Sequence, residues 1–117
     1  SVGEAVGPVA FSSLVGRWDW LETDEAKRFA AAFKASREWV NTADPSEIAK
    51  AEASFFPDMA ESAIASAVSA YQNLGTWSGG IAIEKDLYES ALDVFEHSKM
   101  VGSRHSYNDV VVAPPGI

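Results

Sequence analysis

The residues able to do chemistry are few and scattered. His97 and His105 are the two histidines of the chain, eight positions apart with Gly102 between them. That spacing is not the i, i+4 pair that a helical zinc site uses. His97 stands among Glu96, Ser98 and Lys99 and reads as a solvated imidazole near a helix C-terminus, where the dipole favours it. His105 follows Arg104 and reads as a loop residue on the surface. Ser12 and Ser13 could be imagined as nucleophiles, but no glycine-flanked elbow surrounds them and no histidine is fixed nearby by a local pattern. The seventeen Asp and Glu residues fall at expected helix starts and on polar faces, where capping and solubility explain them without paired acid and base work. Gly75, Gly79 and Gly80 lack the preceding strand and the Lys-Ser or Lys-Thr ending of a phosphate loop, so they predict a turn. Cysteine is absent, which excludes disulfides, thiolate zinc sites and thiol catalysis. The expectation is a binding protein without cofactor or metal, and not an enzyme.

Aromatic side chains are the remaining candidates, since they line ligand pockets as well as anchoring cores. Trp18, Trp20, Trp39 and Trp77 are expected in core or interface packing. Phe11, Ser12 and Ser13 lie on a segment that could run along the floor of a cleft, and with Trp77 they form the candidate ligand-binding set.

The elements that would carry these residues are mostly helical. Residues 8–15, PVAFSSLV, read as one β-leaning strand ending at Gly16. A single strand cannot satisfy its own backbone, so it must pair with another part of the chain, a second copy, or a sheet outside this sequence. Thr23 can cap a helix over 24–41, whose Ala26, Phe29, Ala30, Phe33 and Val40 keep helical spacing. Asp44, Pro45 and Glu47 mark the start of a second helix, 45–56, stopping before Pro57. Asp58 and Glu61 suggest another cap for a third, 59–74, with a stripe through Ala60, Ala63, Ile64, Ala67, Val68 and Tyr71. A fourth, 84–100, carries Leu87, Ala91, Val94 and Phe95 and is expected to close near Gly102. Residues 103–117 form a tail with a short extended segment at Val110 to Val112. The fold expected is mostly α, about four helices plus one N-terminal strand, in a single partial domain spanning 1–117.

A length of 117 residues is near the commonest domain size, and an apolar fraction of 47% is ample for a core. The formal charge of −8, with no basic stripe to offset it, argues against nucleic acid as a partner. No apolar run reaches the roughly 18 to 20 residues that span a bilayer. The N-terminus shows no charged segment leading into an apolar stretch, so no signal peptide is visible, although a trimmed chain would have lost it.

Taken in order, several pieces resemble the C-terminal part of a known family. They are Leu14 and Val15 followed by Trp18, Trp20 and Asp24; Glu38 to Asn41 leading into Asp44-Pro45; Phe56-Pro57-Asp58; Leu74 to Trp77; Ile83 before the last helix; and Tyr107 to Val110. The likeness, from Pro8 to Val112, is to the substrate-binding proteins of ABC importers for nitrate, sulfonates, taurine and thiamine precursors. It implies a two-lobe α/β periplasmic binding protein fold, of which this chain would supply the returning strand and the helices packed on one lobe. It also implies a periplasmic or otherwise extracytoplasmic protein that captures a small-molecule solute and delivers it to an ABC permease. Two alternatives stay open. One is a self-contained helical interaction domain, dimerising through the N-terminal strand. The other is a fragment of an enzyme resembling thiamine-pyrimidine synthases, which share the fold and act on a pyridoxal cofactor through upstream residues.

Overall fold

The structure is a computed structural model that describes residue 5, residues 7–10 and residues 12–117. It is mostly helical, with 59% of the described residues in helix. The helices are α1 (Trp18–Leu21), α2 (Asp24–Thr42), α3 (Pro45–Glu52), α4 (Glu61–Asn73), α5 (Lys85–His97) and α6 (Tyr107–Val110), with a 3-10 turn at Ala53–Phe55. The backbone divides into two compact units. One holds the described residues of Ser1–Lys27 together with Ala82–Ile117, and the other is Arg28–Ile81.

Local chemistry sets most of these boundaries. The Thr23 hydroxyl accepts the Ala26 N–H (3.2 Å) and caps α2. Asp44, in extended backbone, accepts the Ser46 N–H at 2.8 Å, and Pro45 occupies the first helical position of α3, where its missing N–H is harmless. Helix α3 ends at Glu52, short of the expected residue 56. The chain tightens into the 3-10 turn because Pro57 disfavours helical backbone at Phe56, which adopts φ −128° and ψ 62°. The expected cap at Asp58 is not used. Helix α4 starts at Glu61 from Ala60, with no side-chain cap, and residues 57–59 are turn and bend.

Helix α4 closes on a Schellman motif, in which the Gly75 N–H bonds to the Gln72 carbonyl (3.0 Å) and the Thr76 N–H to the Tyr71 carbonyl (3.1 Å). Gly75 takes φ 68°, which a side chain would strain. The same motif ends α5 at Lys99, three residues before Gly102, the position that reads as the stop in the sequence. There the Lys99 N–H bonds to the Glu96 carbonyl (3.0 Å) and the Met100 N–H to the Phe95 carbonyl (2.8 Å). Lys99 is left-handed at φ 58°.

In the Arg28–Ile81 unit, α3 packs on α4. Ile48 and Ala49 from α3 and Ile64 and Val68 from α4 form the core, with Val40, Ala43, Ala65 and Trp77 packed around it. The alanines let the two helices approach closely. Three full-sized aliphatic side chains, at roughly 1.5–3 kcal/mol each, make a thin core. The Gln72 amide reinforces it by donating to the Val40 (2.8 Å) and Ala43 (3.0 Å) carbonyls, open acceptors at the end of α2.

In the other unit, α5 carries α6 and the tail. The Tyr107 hydroxyl donates to the Ile83 carbonyl (2.5 Å), the Tyr88 hydroxyl donates to the His105 carbonyl (2.9 Å), and the two rings meet edge to face at 5.7 Å. The Arg104 guanidinium clasps the exposed face of α5 through Asp93 (2.5 Å) and Glu96 (2.6 Å). Asp93 and then Glu96 push its pKa further above the usual value. The extended segment expected at Val110 to Val112 is helical as far as Val110.

The strand expected over 8–15 is not formed among the described residues. Residues 8–10 and 12–15 belong to no ladder, and the Ala10 N–H bonds to the Leu87 carbonyl (3.1 Å) of α5 instead. Apolar and β-branched residues fit a pleated surface, but only a neighbouring strand supplies the hydrogen bonds. No strand is present among the described residues to do so.

Candidate functional site

The four candidate ligand residues fall in different settings. Phe11 lies outside the described residues. Ser12 and Ser13 are exposed on irregular backbone in the unit that contains α5. Trp77 belongs to the Arg28–Ile81 unit, half-buried, and lines a groove there.

The groove has a volume of about 310 Å³. Ile64, Ala67 and Val68 of α4 line it together with Glu52, Phe56, Met59, Tyr71 and Trp77. Its buried lining residues, Ile64 and Val68, are themselves core residues, so that part of the lining is held by the packing of α3 on α4. Phe56 and Met59 arrive there because the Pro57 break turns the chain between the two helices, and the Met59 N–H bonds to the Phe56 carbonyl (3.0 Å). Trp77 is positioned from two sides. The Schellman turn brings the chain back over α4, and the Asn41 amide of α2 donates to the Trp77 carbonyl at 2.6 Å. One residue further on, the Arg37 guanidinium donates to the Ser78 carbonyl at 2.9 Å. The Tyr71 and Trp77 rings meet edge to face at 5.6 Å with an interplanar angle of 63°.

Phe56, Met59 and Tyr71 keep 45%, 47% and 50% of their surface exposed. The sequence reading places Tyr71 on the apolar stripe of its helix and uses Phe56 as a helix end and in the Phe56-Pro57-Asp58 step, and it does not single out Glu52 or Met59. The available signal was the Phe-Phe-Pro-Asp-Met step followed by the stripe of α4, which brings these side chains to one edge.

The other tryptophans are not core residues: Trp18 is 64% exposed, and Trp20 and Trp39 are also exposed. A second hollow, at Arg17, Trp18 and Asp19, is lined by exposed side chains only. Arg17 pairs there with Asp19 (2.8 Å) and holds its carboxyl below the usual range. His97 and His105 are exposed, and no group of metal-ligating side chains occurs among the described residues. No helix among the described residues is long and apolar enough to cross a membrane.

These features describe a small helical chain with an aromatic groove and an apolar segment, residues 8–10 and 12–15, that joins no sheet among the described residues. No family model, curated protein or solved structure matches the chain.

Proposed function

We propose that the chain is the C-terminal part of an extracytoplasmic solute-binding protein of the importer family it resembles, and that the complete protein captures a small solute and hands it to a membrane permease. One observation carries this reading. Leu14 and Val15, the apolar end of the β-leaning segment, are 61% and 95% exposed and belong to no ladder. Apolar side chains left exposed in this way suit a strand whose sheet is supplied by other sequence. Phe11, Ser12 and Ser13 would then border the cleft between two lobes, with the rest of the contacts made from upstream. The mostly helical character supports the reading in its coarsest form.

The same exposed segment favours a second reading, a helical interaction domain in which residues 8–15 of two copies pair. Sedimentation of the chain separates the two, because pairing between copies predicts a concentration-dependent dimer and the importer reading predicts none through this edge.

Function is tested on the product of the complete reading frame. Calorimetric titration with nitrate, an alkanesulfonate, taurine and the pyrimidine precursor of thiamine is expected to show one-to-one binding of at least one, with the solute recovered unchanged. Failure to bind any of them, or their chemical conversion, overturns the proposal.

A further inference from the structure

We draw no further inference here: the strongest candidate, the apolar groove that Phe56, Met59, Tyr71 and Trp77 line at the edge of α3 and α4, carries none because nothing in the structure shows what covers it.

Discussion

Lys99 shows how far a single residue can depart from its sequence signal. The turn that ends α5 requires a left-handed residue, and a side chain there meets its own backbone, which is why glycine dominates such positions. Sequence reading places the stop at Gly102 because glycine is the usual mark; the backbone makes the turn at Lys99 regardless. Lys99→Gly is therefore expected to stabilise the unit containing α5 by about 0.5–1 kcal/mol, after the added freedom of the unfolded chain is deducted. A denaturant midpoint that is unchanged or lower would contradict this.

Asp44 is the opposite case, legible from its sequence. The Ser46 hydroxyl (2.6 Å) and then the Ser46 N–H hold its carboxyl below the usual carboxylate range. With the folded value depressed, the stability contributed by the cap is fully present above the unfolded value of about 4 and is lost as pH falls through the lower folded value. Asp44→Ala should thus destabilise the Arg28–Ile81 unit near neutral pH. The gap from wild type should narrow as pH is taken from about 5 to below 3. A gap independent of pH would show that the carboxylate is not the capping group.

Among the elements, helices were easier to read than their ends. The stripe of α4 is visible because Ile64 and Val68 recur at helical spacing and face Ile48 of α3. The start of α4 was not, because Asp58 and Glu61 imitate a capping pair, whereas the Pro57 turn carries the chain past Asp58 before helical backbone begins at Glu61. Likewise the apolar run over 8–15 signals side-chain preference, while strand formation depends on a partner that local sequence cannot specify. The groove was half legible for the same reason. Trp77 stood out by type, but Glu52, Phe56 and Met59 reach it only through the packing of α3 on α4. That packing has a direct test. Ile48 is fully buried, so Ile48→Ala is expected to cost about 3 kcal/mol in the Arg28–Ile81 unit and Ile48→Val about 1 kcal/mol. A loss below about 1 kcal/mol for the alanine variant would mean that α3 and α4 do not meet at this residue.

Taken together, the chain combines a thin α3–α4 core, an acidic surface and apolar side chains left in solvent at Leu14, Val15 and Trp18. Such exposure suits a surface that another protein segment covers, and under the proposed function that segment would be the sheet of a two-lobe binding protein. Sequencing the coding DNA immediately upstream of the Ser1 codon tests this most directly. The expected result is an uninterrupted reading frame that encodes further α/β segments preceded by a signal peptide. An in-frame stop codon followed by a start site at the beginning of this chain would contradict it.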